Sequence, residues 1–361
     1  MSFSSPDSAG IALRRLTTQR LVGDRFATPV DAVASLGAVQ AQDYPGAKWA
    51  LGQRTHGVTD AELDRLLDEG ALLRTHVLRP TWHFVTPSDS AWLLRLTAPR
   101  VKAILAVYDP RLEIDSPLLR RSHRVLEVSL RDGNHLTRTE VAARLRDRGI
   151  EAGGQRLAQL LMHAELDALI TSGPRKARQF TYALHAERAP GSKDLAGDEA
   201  LAELTLRFFS GHGPAQLVDF AWWSGLTVGD GRRGVAAAGT VLASETIGGK
   251  TYWSSPRSET PDTTGPIVHL LPNYDELLIA YRDRSGMVDP SVELAAARII
   301  SHVVVRDGRV FGGWKRTPTR EGVVVEVGPL GAFDAQARAA LHAAARDYSR
   351  FLQAPVQVTG I

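Results

Sequence analysis

The 361-residue chain has no cysteine. That excludes a disulfide framework, a thiolate nucleophile and cysteine-ligated zinc. It has no apolar run of about 18 residues, so no membrane-spanning helix is expected. The opening residues, MSFSSPDSAG, lack the basic start and apolar core of a secretory signal, which predicts a cytoplasmic protein. The eleven histidines form no HxxxH or HExxH pair, and no acidic cluster has calcium-loop spacing, so no metal is expected. A GxxxxGK[ST] phosphate loop and a GxSxG elbow are also missing, and no cofactor is expected.

What is present is an ordinary soluble composition, 43% hydrophobic with a mean hydropathy of −0.14. The length exceeds what one core usually supports, so several domains are expected. Net charge is only +3, but residues 118–188 hold thirteen basic against eight acidic side chains. Arginine outnumbers lysine thirty-seven to six. Guanidinium suits bidentate phosphate contact, although a GC-rich genome produces the same bias.

The middle of the chain is the easiest to read. Residues 118–133 and 153–170 have apolar residues at helical spacing, and 136–149 opens on Thr137 with Glu140 three residues later, a capping box. ITSGPRKARQFTYAL, 170–184, turns at Gly173-Pro174 and returns as a strand. Three helices followed by a basic hairpin is the winged-helix plan. Similar patterns run through 11–86 and 198–253. Strands are predicted at 74–79 and 82–86, and across the Gly248-Gly249 turn. Residues 267–281, 302–316 and 322–330 read as strands with a turn at Asp307-Gly308, and 335–351 closes the chain as an amphipathic helix. The predicted fold is α+β. Winged-helix units occupy 1–117, 118–190 and 191–257, a polar linker lies at 258–266, and a β-rich module with its helix fills 267–361.

Four blocks carry a resemblance: QAQDYPGAKWALGQR (40–54), RTHVLRPTWHFVTPSD (74–89), HGPAQLVDFAWWSGLT (212–227) and HLLPNYDELLIAYRDRS (269–285). Together they are similar to the AlkZ-like winged-helix DNA glycosylases, whose motif is glutamine, an apolar residue, glutamine. Gln40-Ala41-Gln42 matches that motif. A related branch has aspartate in place of the second glutamine. The resemblance implies tandem winged-helix units in a C-shaped scaffold and excision of alkylated purines from double-stranded DNA.

The chemistry of two amides is intelligible on its own terms. Residues two apart share a face only on an extended backbone, and the Tyr44-Pro45-Gly46 sequence predicts a turn that ends any helix there. An amide cannot act as a general base at neutral pH. An N7-alkylated purine, however, is cationic and departs neutral without a proton donor. What is left is an oxocarbenium-like transition state that needs a positioned water. Two carboxamides, accepting through carbonyls and donating through NH2 groups, suit that task. Read without the resemblance, Gln40 and Gln42 are more simply surface amides at the end of a helix-turn-helix; the resemblance reverses that reading.

Asp43 either polarises the water or is structural, and Trp82 and His83 either line the site or pack the first wing. Arg79, Arg175, Lys176 and Arg178 are candidate phosphate ligands. Trp314 beside Lys315 and Arg316 is a candidate for groove insertion at a hairpin tip or strand end. Trp222-Trp223 could stack on unpaired bases but more often such a pair is core. Lys48 is the only lysine near the motif, so a monofunctional enzyme without lyase chemistry is predicted, acting as a monomer on the nucleoid. The rival reading is a non-enzymatic tandem winged-helix DNA-binding protein, a transcriptional regulator.

Overall fold

The computed structural model describes residues 6–256, 265–288 and 302–361. Most of the expected linker, 258–266, lies outside the described residues. The architecture is mixed α and β. Helices α1 (Pro6–Thr18) and α2 (Pro29–Leu36) lead into the short strand β1 (Val39–Gln40). Then come α3 (Tyr44–Arg54), α4 (Asp60–Glu69), β2 (Leu73–His76), β3 (Trp82–Val85) and the long α5 (Pro87–Leu105). The three strands form one antiparallel sheet in the order β1-β3-β2, with Gln40 opposite His83.

The middle of the chain supplies α6 (Ser116–Leu130), β4 (Leu136–Thr137), α7 (Arg138–Arg146), α8 (Gly154–Leu166), β5 (Ile170–Lys176), β6 (Gln179–Leu184) and the short α9 (His185–Arg188). Thr137 and Glu140 form the anticipated capping box at the start of α7. The sheet order is β4-β6-β5, and its helices and strands share a core of their own, from Ile114 to Leu184.

Next are α10 (Gly197–His212), α11 (Leu217–Ser224), α12 (Val228–Ala238) and the hairpin β7 (Ala243–Ile247) and β8 (Lys250–Ser254). The last part holds β9 (Val268–Leu271), α13 (Glu276–Ile279), β10 (Val303–Arg306), β11 (Arg309–Pro318), β12 (Val323–Pro329), α14 (Ala335–Leu352) and β13 (Val356–Thr359). Its five strands form one sheet, ordered β13-β12-β11-β10-β9. Asp307 and Gly308 both have positive φ, 52° and 77°, as a tight two-residue hairpin turn requires.

Two further cores tie distant parts of the chain together. One joins α1 and α5 to α10–α12 and to Leu271, Leu277 and Tyr281. The other packs α2 and α3 against the five-stranded sheet and α14, with Trp49, Tyr348 and Phe351 in mutual ring contact. The first hundred residues thus pack against both α10–α12 and the C-terminal sheet with α14.

Three expectations fail locally. Tyr44-Pro45-Gly46 is not a turn but the first turn of α3, with Asp43 at the N-cap position. Proline suits that place because its missing N–H would have no intrahelical partner anyway. Gly46 is dictated by contact: a Cβ there would sit 2.6 Å from Asp43 Oδ2 and 3.1 Å from Pro272 Cβ. The second hairpin does not turn at Gly173-Pro174, which lies inside β5 where the register shifts; the chain reverses at Ala177-Arg178 instead, Ala177 having φ 55°. Residues 267–281 are strand only over Val268–Leu271, after which Asp275 caps α13.

Candidate active site

Three backbone groups of the Gln-Ala-Gln segment are held by distant residues. The Gln40 N–H donates to Glu276 Oε1 at 2.8 Å, the Ala41 N–H to the Trp82 carbonyl at 2.7 Å, and the Ala41 carbonyl accepts from Arg74 Nε at 3.1 Å. Gln40 reaches the short connection between β2 and β3, and Gln42 reaches the first residue of β3 just beyond it. Gln40 Oε1 accepts from Arg79 Nη2 at 2.8 Å, and Gln42 Oε1 accepts from the Trp82 N–H at 3.3 Å. Gln40 is 7% exposed, whereas Gln42 is open to solvent. Each carbonyl keeps its second lone pair, and neither NH2 group has a partner among the described residues. The backbone is extended at Gln40 and bends at Gln42.

Behind Gln40 lies a buried carboxylate. Glu276 Oε2 accepts from Trp223 Nε1 at 3.0 Å and lies 3.4 Å from His212 Nε2. Its neighbour Asp275 takes both Nη groups of Arg54, at 2.7 and 2.8 Å, with Gln19 completing the cluster. A buried pair of this kind survives only when geometry and hydrogen bonds replace the lost hydration; here both Nη groups are satisfied, while the buried Nε has no partner among the described residues. Two adjacent carboxylates from α13 therefore fasten β1 and the end of α3.

His83 is fully buried opposite Gln40, with Nδ1 2.9 Å from the Thr81 carbonyl. Burial, reinforced by the Arg79 charge, pushes its pKa well below the ordinary imidazole value, so the ring is neutral. Trp82 is half-buried and sandwiched, with Arg74 4.2 Å above its ring and His76 4.0 Å away. His76 Nδ1 in turn lies 2.6 Å from Glu165, a wholly buried carboxylate whose pKa burial raises despite that imidazole. Asp43 makes no cap hydrogen bond and turns over Gly46.

Beyond Trp82 and Arg74 a cavity of about 360 Å³ opens toward the β5–β6 hairpin. The two glutamines thus sit between a buried carboxylate on one side and a cation-rich hollow on the other. That arrangement can order a small polar molecule, with Glu276 and His83 buried beneath it and Asp43 the half-exposed carboxylate next to Gln42.

Residues 33–351 match the family described as DNA glycosylase AlkZ-like. The chain belongs to the AlkZ-like DNA glycosylases. Its activity class is accordingly that of a DNA repair glycosylase, a hydrolase of N-glycosyl bonds, rather than a regulator. The interstrand DNA cross-link repair glycosylase of Streptomyces sahachiroi is 26% identical over 304 residues, which cover 79% of this chain and 81% of that protein. The solved structure of the Streptomyces sahachiroi DNA glycosylase AlkZ superimposes with a TM-score of 0.80 at 22% identity, covering 99% of this chain and 100% of that one. Within this AlkZ-like fold, no helix among the described residues is long and apolar enough to cross a membrane.

Several candidate residues of the AlkZ-like chain are not where their sequence pattern predicts. Trp314 is not a groove wedge: it is 4% exposed, donates Nε1–H to the Leu271 carbonyl at 2.8 Å and packs on His302 and Tyr348. Strand alternation aims it into the core and leaves Lys315 outside. Arg316 is half-buried and donates to the Tyr348 hydroxyl. Arg79 is not a free phosphate ligand, since burial lowers its pKa against the pull of Glu276 and its guanidinium serves Gln40. Arg175 pairs with Asp64 and Asp68, and Lys176 with Glu140, so both are already neutralised. Of the hairpin cations only Arg178 stays exposed with no protein partner among the described residues.

Glu276 and Arg74 were not among the expected site residues. Both lie inside the resembling blocks, Glu276 within PNYDELL and Arg74 at the head of RTHVLR. The legible signal was a pair of acids ahead of an apolar run. Its usual meaning, a helix cap, holds for Asp275, which caps α13, and conceals the reach of Glu276 to a residue 236 positions away.

Proposed function

We propose that the protein excises N7-alkylated purines from duplex DNA, including bulky or crosslinked adducts, by aligning one water between Gln40 and Gln42. The observation that carries this reading is the double attachment of both carboxamides to the Arg79–Trp82 connection, on a backbone pinned by Glu276, Trp82 and Arg74. Each carbonyl has spent one lone pair on the protein, which fixes its direction, and keeps the other, Gln42 at the solvent-exposed surface and Gln40 at the buried side of the motif. Preorganised acceptors of this kind cost nothing to reorient as the sugar gains positive charge. A cationic base needs no acid to leave, which fits a site where the imidazole opposite Gln40, that of His83, is neutral and sealed. Water addition at the anomeric carbon breaks the N-glycosidic bond, the base departs neutral, and the water's proton passes to solvent.

The name of the Streptomyces sahachiroi relative, a cross-link repair glycosylase, supports extending the substrate to interstrand crosslinks. Lys48 is buried and held by Asp60 and Asp64, which supports a monofunctional enzyme without an amine nucleophile. Three helices with a small antiparallel sheet recur in α6–β6, and helices with a hairpin in α10–β8. We read these, with the first hundred residues, as tandem winged-helix units acting as a monomer on nucleoid DNA. Asp43 and Trp82 frame the site.

Duplexes carrying N7-methylguanine or an N7-guanine interstrand crosslink test the reading, with abasic sites counted as alkali-labile breaks. Excision is expected from the unmodified protein. The double variant Q40A/Q42A is expected to be about 100-fold slower or worse, because positioning is most of what the site supplies. Failure to release any N7 adduct, or full activity of the double variant, removes the proposal.

A further inference from the structure

The cavity beside the glutamines is walled by Arg74, Arg138, Thr139, Arg178, Gln179 and Phe180, and no carboxylate lines it. Three cations converging on one hollow would repel a cationic base. They fit an anion.

Arg74 decides the matter. It is 8% exposed, yet only its Nε has a partner, the Ala41 carbonyl. Among the described residues neither Nη makes a hydrogen bond; the guanidinium is clasped between Trp82 at 4.2 Å and Phe180 at 4.7 Å, with its donors left for the cavity. Glu165 lies on its buried side and partly balances its charge. Burial of the cation lowers its pKa to about 10, so it remains charged at neutral pH. Arg138 and Thr139 stand at the start of α7, where the helix contributes partial positive charge. Arg138 spends one donor on the Gly154 carbonyl, and Arg178 spends none on a described residue. Phe180 is 40% exposed at the rim.

We propose that this cavity seats a DNA phosphodiester close to the damaged nucleotide, with Arg138 and Arg178 capturing it and Arg74 linking it to the catalytic segment. The inference rests on the glycosylase reading above. Arg74 is a positioning residue: one guanidinium would hold the phosphate through Nη and Ala41 through Nε. Seating the backbone and setting Gln40 and Gln42 are then a single event. The exposed ring of Phe180 would lie against the neighbouring sugar or base.

The test uses binding, not excision. Duplexes carrying a tetrahydrofuran abasic analogue are titrated with the full-length protein across a range of salt. Phosphates flanking the analogue are replaced one at a time by uncharged methylphosphonate. Both Arg138 and Arg178 are exposed or half-exposed, so R138A/R178A should keep its fold, which thermal melting verifies. The double variant is expected to bind about 10-fold more weakly and to lower the salt slope by about one to two. One methylphosphonate within a few nucleotides of the analogue should weaken the unmodified protein by a similar factor. It should leave R138A/R178A unaffected, and R74K should show the same loss of coupling in part. An unchanged salt slope, equal losses in protein and variant at every phosphate, or coupling only at remote phosphates would each overturn the assignment. If the protein released no base from alkylated DNA, this assay would still read out, so the two proposals fail separately.

Discussion

The hairpins β5–β6 and β10–β11 read alike in the sequence and behave oppositely in the structure. Each carries basic residues beside an aromatic one: Arg175, Lys176, Arg178 and Phe180 in the first, Trp314, Lys315 and Arg316 in the second. In β5–β6 the aromatic ring is the exposed element and two of the three cations are consumed by Asp64, Asp68 and Glu140. In β11 the tryptophan is interior and Lys315 is the exposed member. Composition alone cannot separate the two cases. What separates them is which strand face meets another layer, and which acids distant helices bring within reach. A cation is available to DNA only after the protein has finished using it.

The sharpest way to break the comparison is W314A. Removing a buried indole should cost about 3–5 kcal/mol of stability in a denaturant titration. A variant that stays stable but loses DNA affinity would return Trp314 to the groove. The second measure sets R175A against R178A. The former should lose about 1 kcal/mol with its ion pairs. The latter should leave stability within about 0.5 kcal/mol and reduce the salt slope of DNA binding by about one. Equal effects of the two on binding would erase the distinction.

A third measure concerns acid. Lys176 and the Thr137 cap hold the Glu140 carboxylate at about 2, below its ordinary value. A carboxyl whose pKa falls on folding stabilises the protein above its unfolded pKa and stops doing so as pH drops through the folded one. The wild type should therefore lose stability from about pH 4 down to pH 2 more steeply than E140Q, in thermal melts at stepped pH. Parallel curves would place the Lys176 contact outside the folded state in solution. The smallest effect belongs to K315A, expected within about 0.5 kcal/mol of wild type in stability.

Local chemistry made several elements legible. The Thr137–Glu140 capping box, the Gly248-Gly249 and Asp307-Gly308 turns and the amphipathic closing helix all follow from neighbours a few residues apart. The start of α3 reads as a turn because proline and glycine together usually mark one; proline suits a first helical turn, and the contact of Gly46 with Asp43 and Pro272 shows why glycine is needed there. The glutamine pair itself could be seen in the sequence, but its surroundings could not. Gln40 depends on Arg79 across a bend and on Glu276 across most of the chain, and nothing near residue 40 encodes either partner. Long-range polar contacts leave no periodicity behind.

Asp275 and Glu276 carry one more consequence, for the order of synthesis. Gln40 and Arg54 leave the ribosome more than two hundred residues before the acids that fasten them. Until they arrive, the Gln40 amide and the Arg54 guanidinium must find other company. A nascent chain can therefore shape its early helices well before the Gln40 segment and Arg54 acquire the buried partners that fix them in the finished fold.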